Sequence, residues 1–248
     1  MKIVALYNVK GGVGKTSTTV NLSYLAADEG YKTVLWDLDP QGAATFYLNA
    51  LDRVKGKIKK IITDKDFYKN NIHPTDYKNL YILPSDLDLR NIDIIFNDIK
   101  KSTKKFKESI EDGFGSFDLV FVDCPPGISL LSEHIIEISD LILSPLIPSP
   151  LSLRTYELLN QFSKDKIVRG FFSMVDKRKK LHRQIIDDLI KGENFLKNVI
   201  PYSSKVEQMG TLRKPLPAYD NSDTAENYMN LWNEVKDLLN LNKLINSK

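Results

Sequence analysis

Short apolar runs alternate with longer segments of helical periodicity along this chain. The runs "KIVALY", "KTVLWDLD", "NLYILP", "FDLVFVD", "DLILSPLI" and "GFFSMV" are of strand length and bounded by polar or turn-forming residues, so each reads as a β-strand. Their apolarity is nearly continuous, as expected of strands buried on both faces of a parallel sheet. Between them, one helix is expected from Lys15 to about Ala27, with Gly30 as its stop. A second opens after Pro150 and gathers Leu151, Leu158, Leu159 and Phe162 near one face. A third, from Thr224 to Leu241, repeats Tyr228, Leu231, Trp232, Val235, Leu238 and Leu239 at helical spacing. The alternation predicts an α/β fold, a doubly wound, mostly parallel sheet with helices on both faces. One domain is expected over residues 1–248, with no repeat and no obvious linker. The lysine-rich stretch "RVKGKIKKIITDKDFYKNN", beginning at Arg53, is expected to form a surface helix and loop.

Composition adds limits. The 248 residues suffice for one extensive core, and 42% apolar with 27% charged residues is ordinary for a globular chain. No apolar stretch is long enough to cross a bilayer, and the first strand starts at once, leaving no room for a signal peptide. A cytoplasmic location is the expectation. Cys124 is the single cysteine, which rules out an internal disulfide, and it reads as a small packed residue. The histidines, His73, His134 and His182, are scattered, so a dedicated metal site is not expected. A net charge of +3 permits an acidic partner without demanding one.

The chemistry is concentrated in "NVKGGVGKTST", which joins the first strand to the first helix. A phosphate-binding loop needs a run of backbone N–H groups, a lysine near the outer phosphate charge and a Ser or Thr hydroxyl for Mg²⁺. Gly14, Lys15 and Thr16 fit those roles, although the standard spacing would place glycine where this chain has Val9. The loop also carries a second lysine, Lys10. In a parallel sheet, ligands collect at the carboxyl ends of the strands. Asp37 and Asp39 in "VLWDLDPQG" and Asp123 in "FDLVFVDCPPG" occupy such ends. Spaced two apart, Asp37 and Asp39 should project to the same side of an extended strand, and Asp123 has the setting of a Walker B carboxylate serving Mg²⁺. Each feature alone has a plain structural reading as a turn or a strand end; their joint order argues for nucleotide binding.

"KGGVGKTST" resembles the deviant Walker A motif of the ParA and MinD group of P-loop ATPases, "DLDPQGAAT" the Walker A′ motif, and "FDLVFVDCPPG" the Walker B region of the ParA branch. The similarity continues through "LSPLIPSPLSLRTYELL" and "IPYSSKVEQMGTLRKPLPAY". The resemblance implies ATP and Mg²⁺ as cofactors, with Gly11, Gly12, Val13, Gly14, Lys15, Thr16 and Ser17 around the nucleotide. It implies that Lys10 reaches across an ATP-dependent homodimer to the other subunit's phosphates. Lys15 would hold its own subunit's phosphates, Thr16, Asp37 and Asp123 would serve Mg²⁺, and Asp39 would orient the attacking water. Stretches including Met174, Asp176, Pro201 and Tyr202 match the adenine-contacting region.

For an output surface, Lys177, Arg178, Lys180 and Arg183 cluster in "VDKRKKLHRQII", with Arg213 and Lys214 on a later loop. Basic residues without a base-reading motif suggest sequence-independent phosphate contacts. A solvated helix start explains the charge equally well, and the ParA resemblance favours nonspecific DNA. It implies a nucleoid-associated switch that partitions or positions a chromosome, plasmid or large cargo, stimulated by a partner with a basic disordered segment. The rival is a MinD-like membrane-associated ATPase. It needs an amphipathic anchor within "VKDLLNLNKLINSK", where Trp232 and its neighbours look more like core. An iron–sulfur reductase component fails because a dimer would supply only two Cys124 thiols.

Overall fold

The computed structural model describes residues 1–50, 54–100, 102–163 and 165–241. Its strands are β1 (Lys2–Leu6), β2 (Thr33–Asp37), β3 (His73–Pro74), β4 (Leu80–Leu83), β5 (Leu119–Asp123), β6 (Leu141–Leu146) and β7 (Ile167–Phe172). They form one sheet in the order β3-β4-β2-β5-β1-β6-β7. All pairings are parallel except the short antiparallel contact of β3 with β4. Every residue of β2, β5 and β6 is buried, which explains the unbroken apolar runs.

Among the described residues there are eleven α-helices: α1 (Lys15–Asp28), α2 (Ala43–Tyr47), α3 (Lys60–Thr63), α4 (Lys65–Asn71), α5 (Ile92–Asp98), α6 (Ser102–Phe114), α7 (Leu130–Ile138), α8 (Pro150–Phe162), α9 (Lys180–Leu189), α10 (Ser204–Leu212) and α11 (Asp223–Leu238). They divide between the two faces of the sheet. Val20 and Leu22 of α1 share one core with Leu231 and Trp232 of α11. The opposite core joins Trp36 of β2 to residues of α3, α4, α6, α7, α8 and α9. This is the doubly wound arrangement that the alternating pattern predicts.

Three local expectations are corrected. The last parallel strand ends at Phe172 rather than continuing through Val175, because Ser173 turns to donate its hydroxyl to the Val13 carbonyl at 2.6 Å and Met174 has φ 52°. The C-terminal helix stops at Leu238, and residues 242–248, part of the proposed anchor segment, lie outside the described residues. The lysine-rich stretch is more than a surface helix and loop: Ile61, Ile62, Phe67 and Tyr68 are buried against α6 through α3 and α4. A Cβ at Gly113 of α6 would come within 2.6 Å of the Tyr68 ring, so only glycine allows that approach. Arg53 lies outside the described residues.

Candidate nucleotide site

Strand register builds the site. Asp37 ends β2 as the direct partner of Asp123, which ends β5, and Leu6 at the end of β1 is paired with Asp123 on its other side. The phosphate loop leaves β1 beside these two carboxylates. Gly12 and Gly14 take φ 69° and 90°, the left-handed region that a side chain would strain, and Gly14 caps α1. The first turn of α1 carries no acidic residue, leaving its positive end open to an anion.

Several bonds hold the loop. Buried Asn8 donates to the Pro145 carbonyl at 2.8 Å and to Ser144 Oγ at 3.3 Å, and accepts the Lys10 N–H at 2.8 Å. The Val9 carbonyl receives the Gly127 N–H at 2.9 Å, joining the loop to the turn after Asp123. Asn8 carries no motif signal; only its position just past an apolar strand hints at an anchor.

The two lysines differ in placement. Lys15 is buried and folds back so that Nζ donates to the Lys10 carbonyl at 3.0 Å. Burial pushes its pKa below the ordinary value, offset in part by Asp123. Lys10 is half-buried at the rim, and its Nζ meets Ser152 Oγ at 3.4 Å, at the start of α8. Ser149 and Ser152 sit together there, 2.9 Å apart.

The carboxylates are more unbalanced. Asp37 and Asp123 have no exposed surface. Burial raises both pKa values; the Asp37 charge raises that of Asp123 further, and Asp39 adds to the rise of Asp37. Asp37 Oδ2 accepts from Thr45, from N–H at 2.8 Å and from Oγ1 at 2.7 Å, and Thr45 Oγ1 in turn accepts the Ser85 N–H at 2.9 Å. Asp123 Oδ1 accepts from Thr19 at 3.3 Å, while its buried Oδ2 has no hydrogen-bond partner. Thr16 lies beside Asp123 and favours its charged form. β2 ends at Asp37, so the strand argument does not extend to Asp39. Asp39 instead accepts the Gln41 N–H at 3.0 Å in the following turn.

Among the described residues no group of three or more His, Cys, Asp or Glu side chains could cage a metal. Two carboxylates, one orphaned oxygen and the Thr16 hydroxyl fit Mg²⁺, which retains waters and is completed by phosphate oxygens. Cys124 is buried and its thiol is pushed up by burial, as a packing residue should be.

Met174, Pro201 and Tyr202 line a narrow, mostly apolar cleft beside Gly14 and Ser17, with Ser173 and Tyr228. Asp176 does not line it; its carboxylate takes two hydrogen bonds from the Arg178 guanidinium, both 2.9 Å. Glu207, which accepts from Tyr202 OH at 2.7 Å, is a cleft residue that sequence reasoning missed. It lies five positions beyond Tyr202, within the stretch that resembles the family, and carries no spacing signal of its own.

The basic cluster splits. Lys177, Arg178, Lys180 and Arg183 are exposed around the start of α9, with Arg183 donating to the Lys177 and Arg178 carbonyls. Arg213 packs its guanidinium over the Phe46 ring of α2, 4.2 Å from its centre, and Lys214 beside it is exposed.

A parallel sheet with helices on both faces, a glycine-shaped loop capping α1 and paired carboxylates at adjacent strand ends together define a P-loop nucleoside triphosphatase. Residues 1–169 match the family model described as an AAA domain. The sporulation initiation inhibitor protein Soj of Bacillus subtilis is 31% identical over 247 residues, which cover 94% of this chain and 98% of Soj. The chain belongs to the ParA/Soj family of partition ATPases. Among solved structures, a plasmid partition protein from Borrelia burgdorferi bound to AMPPNP aligns with a TM-score of 0.77 at 21% identity, covering 92% of this chain and 96% of that one. The MinD protein of Pyrococcus horikoshii complexed with Mg-ADP aligns with a TM-score of 0.76 at 21% identity, covering 97% and 98%.

Proposed function

We propose that this protein is an ATP-dependent dimerising switch that binds nonspecific DNA and positions a chromosome, plasmid or large cargo. The observation that carries the reading is the unequal pair of lysines in one loop. Lys15 is buried and committed to its own loop, whereas Lys10 stands at the rim with only a long contact to Ser152. A rim cation is placed to complete phosphate neutralisation in a second subunit, which couples hydrolysis to dimerisation.

Gly11, Gly12, Val13, Gly14, Lys15, Thr16 and Ser17 surround the phosphates, and Met174, Pro201 and Tyr202 take the adenine. Thr16, Asp37 and Asp123 would hold Mg²⁺, which would supply neutralisation of the phosphate charge. Asp39 orients the attacking water. One domain, residues 1–248, carries all these steps. Lys177, Arg178, Lys180 and Arg183 meet the DNA backbone in the ATP state, with Lys214 available from the α2 side. A partner with a basic disordered segment stimulates turnover, and the assembled protein resides on the nucleoid in the cytoplasm. Among the described residues no helix is long and apolar enough to cross a membrane.

The test is binding of the purified protein to two unrelated DNA duplexes and to anionic vesicles, each with ATP, ADP or no nucleotide. Equal binding to both duplexes with ATP alone supports the switch. ATP-dependent binding to vesicles and not to DNA makes it a MinD-like membrane ATPase.

A further inference from the structure

Residues 54–71 contain six lysines and two aspartates, a net +4 in a chain whose total is +3. Three features make this more than a solvated lysine run. First, the display is rigid. Ile58, Ile61, Ile62, Phe67 and Tyr68 are all buried and point into the core that contains Trp36 and Phe106. The fully buried Asn71 accepts the Lys55 N–H at 2.5 Å through Oδ1 and donates to the Lys55 carbonyl at 3.1 Å through Nδ2. That clamp fixes the last turn of α4, with Lys69, against the turn that carries Lys55 and Lys57.

Second, four of the six lysines are unmatched. Lys60 pairs with Asp64 at 3.2 Å and Lys65 with Asp112 at 3.8 Å. Among the described residues, Lys55, Lys57, Lys59 and Lys69 are exposed and meet no carboxylate. In the 177–183 segment Arg178 is held by Asp176 and Arg183 by backbone carbonyls, while Lys177 and Lys180 are exposed as these four lysines are. Third, no large apolar side chain is exposed in residues 54–71. A membrane-surface element inserts apolar side chains beside its lysines, and this one has none to insert.

We propose that Lys55, Lys57, Lys59 and Lys69 form a second contact surface for the phosphate backbone of duplex DNA, separate from residues 177–183. Lysine ammonium groups on a fixed turn act as point charges toward phosphates and read no sequence. The surface lies on the same side of the sheet as α9. It covers β2, and α9 follows β7, four strand spacings away in the sheet order, about 19 Å. The two patches therefore engage separate stretches of backbone. The proposal rests on the reading that the chain binds DNA and adds a site to it.

The experiment compares the full-length protein with a variant carrying Lys55→Gln, Lys57→Gln, Lys59→Gln and Lys69→Gln, and with the four corresponding Arg substitutions. DNA affinity is measured against salt concentration with ATP present, with nucleotide affinity as the check on folding. The Gln variant should lose a log–log slope of roughly 0.9 per contact, about 3.6 if all four lysines bind, while the Arg variant keeps its slope. An unchanged slope in the Gln variant, with or without lost binding to phosphatidylglycerol vesicles, overturns the proposal. If the unmodified protein binds no DNA with any nucleotide, the underlying DNA reading fails and the proposal with it.

Discussion

The nucleotide site and the 177–183 segment are both rich in charge, and they treat it in opposite ways. In the site, Lys15, Asp37 and Asp123 are buried and one carboxylate oxygen is left without a partner. Burying charge costs free energy unless it is met by another charge or a ligand, so this geometry calls for a phosphate and a cation. In the 177–183 segment the cations are exposed and partly neutralised within the chain; Arg178 holds the Asp176 carboxyl down to about 2. The remaining lysines there, Lys177, Lys179 and Lys180, are exposed to solvent rather than buried. Buried, unmet charge specifies a ligand, whereas solvated charge only permits a partner.

Removing the buried cation should break the contrast most severely. Lys15→Gln is expected to lower ATP affinity by about 30-fold to several thousand-fold, the range for losing one partner of a buried charge contact. Titration calorimetry measures it, and near-normal affinity would show that Lys15 is structural.

A smaller effect is expected from pH. Burial raises the folded-state pKa of Asp37 and Asp123 above the usual 3.8, so the folded protein binds these protons more tightly than the unfolded chain does. Their contribution to stability is full below that usual value and is lost as pH rises through the elevated folded values. Each unit of elevation is worth about 1.4 kcal/mol. Nucleotide-free protein should therefore lose stability in urea titrations as pH rises from the acid side toward neutrality, and Asp123→Asn should flatten that decline. An unchanged decline in the variant would place its source elsewhere.

The smallest effect should come from the exposed segment. Asp176→Asn frees the Arg178 guanidinium and should tighten DNA binding by about 2-fold, as expected for an exposed pair. Salt should erase the gain. Tighter ATP binding instead would move Asp176 back into the nucleotide site.

The same contrast decides what the sequence makes legible. β1, β2, β5 and β6 are readable because burial on both faces demands unbroken apolar runs, and the phosphate loop because its glycines and Lys15 occupy fixed offsets. Asn8 and Ser85 support the site through bonds between segments distant in the chain, to Pro145 and to Thr45, which leave no local period. Met174 ends β7 by a backbone turn that its apolar side chain conceals. In residues 54–71 the lysines outweigh the five buried apolar positions, and helices of four and seven residues are too short for a clear period.

The central claim is that Lys10 acts on nucleotide held by the other subunit. Lys10→Ala and Asp39→Ala proteins, each inactive alone, should be mixed in equal amounts and assayed for ATP hydrolysis. A mixed dimer then has one composite site with both Asp39 and a partner's Lys10 intact. With random pairing in a symmetric dimer, about a quarter of unmodified activity should return. Activity no higher than either variant alone would contradict the account, because it would mean that Lys10 and Asp39 must come from the same chain.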